Sequence, residues 1–295
     1  MTALPSALPL AVAQTRSRGY WGNVLRRFTR DPVALLALAV VAVLALMALF
    51  GPWMAPADPF KSSMLGRLQP IGSENFPLGS DELGRDMLSR LIVGARLSLF
   101  MGITPVVFAF FIGSAIGILA GYAGGLVNTA IMRTIDVFYA FPSVLLAIAL
   151  SGALGAGIGN ALLSLTIVFI PPIARVAESV TTQVRGRDYV EAARASGADA
   201  FTIVRVHVLG NVLGPIFVYA TSLIAVSMIL ASGLSFLGLG VKPPEPEWGL
   251  MLNTLRTAIY VQPWVAALPG VMIFVTSIAF NLLSDSLRSA MDVKQ

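Results

Sequence analysis

The segment Asp188-Tyr189-Val190-Glu191-Ala192-Ala193-Arg194-Ala195-Ser196-Gly197-Ala198-Asp199 sets polar and small residues at spacings that build a recognition element. Asp188 can cap a helix, and Glu191, three residues on, can reach back to the cap's amide in the Asp form of a capping box. Gly197 then supplies a left-handed stop, and Asp199 can cap a second helix running through Val208. The product is a two-turn helix with alanines on its surface. A helix this short is marginal alone and needs something to pack on, and small side chains permit close backbone approach. The chemistry is docking by another protein; the same pattern also fits a solvated linker with two helical turns.

Covalent, metal and nucleotide chemistry find no comparable residues. Cysteine is absent, and His207 is the single histidine, so neither a thiolate route nor a paired-His zinc motif can be built. The lysines are Lys61, Lys242 and Lys294, and none stands in the Gly-rich context of a phosphate-binding loop. Any ATP-derived energy must therefore reach this chain from another polypeptide. Ser143, Ser164, Thr166, Thr221 and Ser222 fall inside apolar runs, where hydrogen bonding between helices is their ordinary use.

Those apolar runs must hold the polar segment in place. The chain is 56% hydrophobic and 12% charged, with a mean hydropathy of +0.81, against about 25% charged in soluble domains. Lipid is its solvent. Six stretches approach the roughly 20 apolar residues that a spanning helix needs: Val33 to Met54, Leu97 to Tyr122, Val137 to Gly157, Asn160 to Ala174, Val212 to Leu239 and Trp264 to Ser284. The fourth is short and is interrupted by Pro171 and Pro172, while Pro105, Pro142, Pro215 and Pro269 lie inside others. With the N-terminus inside, 13 of the 20 basic residues fall on the inner face, which carries the whole net charge of +5. That asymmetry is what membrane insertion selects, so the basic balance calls for no nucleic acid. The N-terminal residues have no uninterrupted apolar core of the secretory type, which points to a retained cytoplasmic N-terminus.

The outer connection from Ala55 to Arg96 ends in Leu83, Met87, Leu88, Leu91 and Ile92, with Arg85, Asp86, Ser89 and Arg90 between them. This spacing predicts an amphipathic helix along the outer interface, either an anchor or a surface that meets a partner. Ionised residues fall at span ends or in loops, with Arg133, Asp136, Arg175 and Asp285 at the inner boundaries. A carrier driven by ions would place them at mid-membrane depth. A secondary transporter or channel is thus the alternative of a different class.

Glu191-Ala192-Ala193, followed after three residues by Gly197, resembles the signature of bacterial ABC importer permeases. Arg205-Val206-His207-Val208-Leu209-Gly210-Asn211 is similar to the form found in dipeptide, oligopeptide and nickel permeases, with Gly210 where Pro is usual. Further blocks extend the resemblance over most of the chain: Pro77 to Asp86 in the outer loop, Phe236 to Pro244 with Trp248-Gly249, and Asn281 to Arg288, with Val293 where Pro is common. The resemblance implies an all-α integral membrane protein of the type I ABC importer fold, with six transmembrane helices and both termini cytoplasmic. It further implies a transport subunit, not an enzyme, of the bacterial plasma membrane that moves dipeptides, oligopeptides or similar small solutes. Asp188, Tyr189, Glu191, Ala192, Ala193, Ser196 and Gly197 would dock on an ATPase subunit. ATP and magnesium would be bound by those partners, leaving no cofactor in this chain. The compact outer segment is similar to C-type subunits, which implies a B-type permease partner in a heterodimer, two ATPase subunits, an extracytoplasmic solute-binding protein and surrounding membrane lipid. The corresponding division is residues 1–32 as a cytoplasmic segment, 33–93 as the first helix with the outer segment, 94–285 as the transmembrane domain with a coupling loop at about 175–211, and 286–295 as a cytoplasmic tail.

Overall fold

Asp31 opens the first long helix. Its carboxylate accepts the Val33 amide at 2.9 Å, and Pro32 occupies the first helical turn, where no amide donor is required. The computed structural model describes residues 20–291; Arg16 and Arg18, two of the 13 inner-face basic residues, and Val293 and Lys294 lie outside them. After the short basic helix α1 (Tyr20–Phe28), α2 (Pro32–Met54) runs 23 residues, about 35 Å and enough for a bilayer core. Only Ala34, Ala37, Leu44 and Gly51 are buried along it, while Leu36, Leu49 and Trp53 point outward. A helix apolar all round but covered on one narrow stripe has lipid for its other neighbour.

The interfacial helix expected at residues 83–92 does not exist as a separate element. Asp86 instead caps α3 (Met87–Ala123), accepting from the Ser89 amide at 2.8 Å and the Ser89 hydroxyl at 2.6 Å. This helix continues unbroken for 37 residues. Its supposed polar face is enclosed: Ser89 is fully buried and Arg90 is 2% exposed. Arg90 faces protein and not water, because Asp81 and the Pro59 carbonyl hold its guanidinium.

The third expected span also differs. Instead of one helix from Val137 to Gly157, α4 (Gly125–Tyr139) and α5 (Ser143–Leu154) meet at an 85° bend. Pro142 supplies the reason: it donates no amide and steers Phe141 out of the helical region. Pro171 and Pro172 do not break α6 (Ile158–Arg185), which passes through both for 28 residues. What carries α6 across that defect is its packing on α3, the most extensive in the molecule. Gly113, Gly117 and Gly121 put three glycines on one stripe of α3 against Ile170, Ala174 and Glu178 of α6, the close approach that membrane helices use.

On the inner side follow α7 (Asp188–Ala195) and α8 (Ala200–Thr202). A π-helical segment, Ile203–Val208, joins α8 to α9 (Leu209–Phe236), so that residues 200–236 form one helix of 37 residues. The inner connection expected over Arg175 to Asn211 thus narrows to the stretch between Arg185 and Ala200. Gly210 lies within the helix and does not interrupt it. The chain ends with α10 (Trp248–Thr254) and α11 (Pro263–Met291). Among the described residues five helices are long and apolar enough to span a membrane, and the bent α4–α5 pair makes the sixth if counted as one span.

Two contacts show which ends share a face. The Ser286 hydroxyl donates to Asp31 at 2.9 Å, joining the start of α2 to the end of α11. At the other face the Gly157 amide donates to the Leu239 carbonyl at 3.1 Å.

The outer face is closed by a buried polar lattice. Arg85 Nε binds Asp81 at 2.6 Å. Trp248 donates its indole N–H to the Leu91 carbonyl and its amide to Ser98, both at 3.0 Å. Glu247, 1% exposed, caps α10 by accepting the Gly249 and Leu250 amides at 2.9 and 2.8 Å. Burial pushes its carboxyl above the ordinary 4.5, against the lowering pull of those amides. A raised acid favours folding while protonated, so this contribution is present below 4.5 and is lost as pH rises through the raised value. In thermal melts of the detergent-solubilised chain, the Tm of Glu247→Gln relative to wild type should therefore improve as pH increases across that window. A difference independent of pH would show that Glu247 does not titrate in the fold.

Candidate functional site

The short helix α7 projects from the inner face on a single anchor. Val190 is fully buried in the apolar cluster that also contains Ile203 and Val208. Asp188, Glu191, Ala192, Ser196 and Gly197 are exposed, Tyr189 is 44% exposed, and Ala193 is half-buried against the same cluster. The seven expected docking residues are thus brought together on one two-turn helix and its stop.

How the helix begins differs from the expectation. Asp188 is its first residue and not its cap; Arg187 takes the cap position with extended backbone and makes no side-chain capping bond. The Arg187 carbonyl accepts the Val190 and Glu191 amides at 2.9 and 3.2 Å. Asp188 and Glu191 both stand in the first turn, where the helix dipole favours negative charge without a formal cap. Glu191 forms no ion pair among the described residues, which leaves its carboxylate available at the surface.

The end of α7 follows the spacing. Gly197 has φ +86°, and the Ala198 amide closes back on the Ala193 carbonyl at 3.1 Å, the wide return bond of a left-handed helix stop. Asp199 then accepts the Phe201 and Thr202 amides at 3.1 and 3.3 Å. The hydroxyl of Thr202, foremost, and these amides hold its carboxyl below the usual carboxylate range. From this cap the chain runs without interruption into α9. The connection between α7 and a membrane-crossing helix is thus one glycine joint and a capped helix start.

Two features escaped the sequence. Val190 as the anchor was legible in principle, being the one branched apolar residue within α7, with Ala193 three positions on the same face. The Tyr189 ring lies 6.3 Å from that of His207, so His207 sits beside α7; nothing in the spacing foretold that pairing.

A second region adjoins the bend between α4 and α5. A cavity of about 310 Å³ is lined there by Phe138, Tyr139, Phe141, Pro171, Phe169 and Tyr219, among others. At its edge Arg175 forms an ion pair with Asp136, and its guanidinium lies 5.1 Å from the centroid of the Tyr139 ring. Past Arg175, α6 continues ten residues, to Arg185, or about 15 Å.

The architecture agrees with what known proteins show. Residues 113–294 match the family described as binding-protein-dependent transport system inner membrane component, and residues 19–70 match the N-terminal TM domain of oligopeptide transport permease C. The chain belongs to the binding-protein-dependent inner-membrane permeases: it is a multi-pass, non-catalytic permease subunit of an ABC importer, whose ATPase is a separate chain and which works with a binding protein. Within that class it is of the oligopeptide permease C type. It is 40% identical to the glutathione transport system permease protein GsiD of Pectobacterium atrosepticum, over 99% of this chain and 97% of that protein. To the GsiD of Escherichia coli O157:H7 it is 42% identical, over 99% and 96%. The di/tripeptide transport system permease protein DppC of Pseudomonas aeruginosa is 39% identical, over 98% and 96%. Among solved structures, an inward-facing MetNI methionine ABC transporter has the same fold, with a TM-score of 0.57 at 21% identity over 69% of this chain and 97% of that one.

Proposed function

We propose that this chain forms half of a translocation path for dipeptides, oligopeptides or glutathione-like solutes, and that α7 is the element through which an ATPase subunit drives it. The observation that carries the coupling role is the mounting of α7: an exposed two-turn helix, with Val190 as its one fully buried side chain, joined through Gly197 and Asp199 to the helix that becomes α9. Asp188, Tyr189, Glu191, Ala192, Ala193, Ser196 and Gly197 form the docking face. Alanines admit close approach, and the first-turn carboxylates offer charge to a basic groove.

The assembly in this reading is a heterodimer with a B-type permease, two ATPase subunits and an extracytoplasmic binding protein. ATP binding draws the two docking helices together and rocks the path outward; hydrolysis returns it inward. Residues 94–285 make up the moving domain, while residues 33–93 add an accessory helix and the rigid outer segment. The peptide class rests on similarity to permeases named for glutathione and for di- and tripeptides.

The test is uptake by the complete complex in proteoliposomes, with labelled dipeptide, tripeptide and glutathione offered through the binding protein. ATP-dependent accumulation of at least one of these is expected, together with stimulation of ATP hydrolysis by the loaded binding protein. Failure with all three, in a complex whose ATPase is active, would overturn the peptide class.

A further inference from the structure

We propose that the groove between α2 and α3 is a phospholipid site of the outer leaflet, where Arg96 and Glu245 select a headgroup that sets a primary ammonium beside its phosphate, as phosphoethanolamine does. The inference is independent of the cargo and of the role of α7.

α2 and α3 approach closely at Gly51, where a Cβ would sit 3.2 Å from the Ile92 carbonyl oxygen. Beside that contact a space of about 790 Å³ opens between the two helices, within the range that holds one small ligand. Its walls are apolar, with Ala45, Ala48 and Leu49 from α2 and Leu97, Phe100 and Ile103 from α3. The contact of Ser286 with Asp31 puts the start of α2 on the inner face, so these α2 residues belong to its outer half. The loop before α10 closes the outer end: the Pro246 carbonyl lies against Gly94, where a Cβ would meet it at 1.8 Å, and the Trp248 amide donates to Ser98. Glu245 thereby comes to the level of Arg96, and both join the groove lining. From Arg96 to Thr104, the last α3 residue of the lining, is about 12 Å. Half of a bilayer core is about 15 Å, so the groove has the depth of one leaflet.

Arg96 and Glu245 line one groove, yet neither forms an ion pair among the described residues. Arg90 is not free to neutralise Glu245, since Asp81 and the Pro59 carbonyl hold its guanidinium at 3.4 and 2.9 Å. A cation and an anion at the mouth of an apolar slot fit a ligand that carries both opposite charges at one end of a hydrocarbon chain. A guanidinium takes a phosphate through two parallel N–H bonds, and a carboxylate takes an ammonium. A headgroup with phosphate alone would satisfy Arg96 and set its own charge against Glu245. A helix of another subunit would cover the apolar walls and leave the two charges to be matched separately.

The test uses the complete complex in vesicles of equal parts phosphatidylethanolamine and phosphatidylglycerol. A diazirine amino acid replaces either Leu49, in the groove, or Leu36, in the inner half of α2. After photolysis, the intact mass of this chain reports what it has joined. At Leu49 adducts of the ethanolamine lipid should exceed those of the glycerol lipid about tenfold, the value of one charged hydrogen bond, while Leu36 should return the vesicle's own ratio. Glu245→Gln should bring the Leu49 ratio to that of the vesicle. In detergent-extracted complex, Arg96→Gln should lower the yield of lipid adducts at Leu49 about tenfold.

The same ratio at both positions, or an excess of the glycerol lipid at Leu49, overturns the proposal on wild-type charges alone, whether or not the variants fold. Joining of Leu49 to another subunit in place of lipid overturns it too and gives the groove to the partner permease. An ethanolamine preference that survives Glu245→Gln overturns the part assigned to Glu245.

Discussion

Replacing Gly197 by valine is expected to uncouple transport from ATP hydrolysis while the chain still inserts and assembles its spans. A Cβ at this position would meet nothing within 4 Å, so steric crowding is not the cause. The cause is backbone: at φ +86° an L residue is strained, and a β-branched one most of all. The penalty is on the order of 1–3 kcal/mol, set against a helix of eight residues with one buried anchor. The stop cannot hold its geometry, and the docking face turns away from its joint to α9. Uptake in proteoliposomes should fall at least about tenfold, which corresponds to roughly 1.4 kcal/mol of lost coupling. Pull-down of the ATPase subunits should weaken with it. Gly197→Asn provides the graded comparison, because asparagine tolerates the left-handed region, and it should retain most activity. If the valine variant docks and transports as wild type does, α7 is not the coupling element.

The second large effect is expected at Gly117, in the stripe where α3 meets α6. A Cβ there would sit 2.3 Å from the Ala174 carbonyl oxygen and 2.6 Å from the Ala177 Cβ. One obstacle is backbone, so no rotamer change relieves the clash. Gly117→Leu forces the helices apart along their main contact and should cost about 3 kcal/mol or more, at the upper end of overpacking effects. The solubilised chain should melt at a lower temperature and accumulate poorly in the membrane. Gly152→Leu is the control, since a Cβ on Gly152 of α5 meets nothing within 4 Å. Equal stability of the two variants would mean that the glycine stripe does not hold α3 to α6.

The two sites differ in how far they could be read in advance. Gly197 was legible because its demand is local: a left-handed residue after a short helix needs glycine, and Asp199 two positions on announces the next helix start. The capping box at Asp188 was misread for a related reason. An acid three residues ahead of another suits a cap or a first turn equally, and only the backbone angle of Arg187 separates them. The Gly113, Gly117 and Gly121 stripe is regular in sequence, but its partner lies on another helix more than fifty residues away. Asp136 and Arg175 stand 39 residues apart in the sequence, and only the fold brings these two charges into one ion pair.

Composition and spacing by themselves determined that this protein lives in lipid, which face is basic, that its ATP must be bound elsewhere, and where the short inner helix α7 stops. Each of these depends on transfer of side chains between water and lipid or on hydrogen bonds within a few residues, and such terms are written along the chain. Tertiary structure alone decided that the third span breaks at Pro142 while α6 survives two prolines. A proline removes the same hydrogen bond in either place, but α6 is held along its length by close packing on glycines of α3, and the bend at Pro142 borders an open cavity. It likewise decided that Met87 to Ile92 belong to a buried helix start, because Pro59 and Trp248 arrive from distant segments to enclose the residues that in isolation form an amphipathic face.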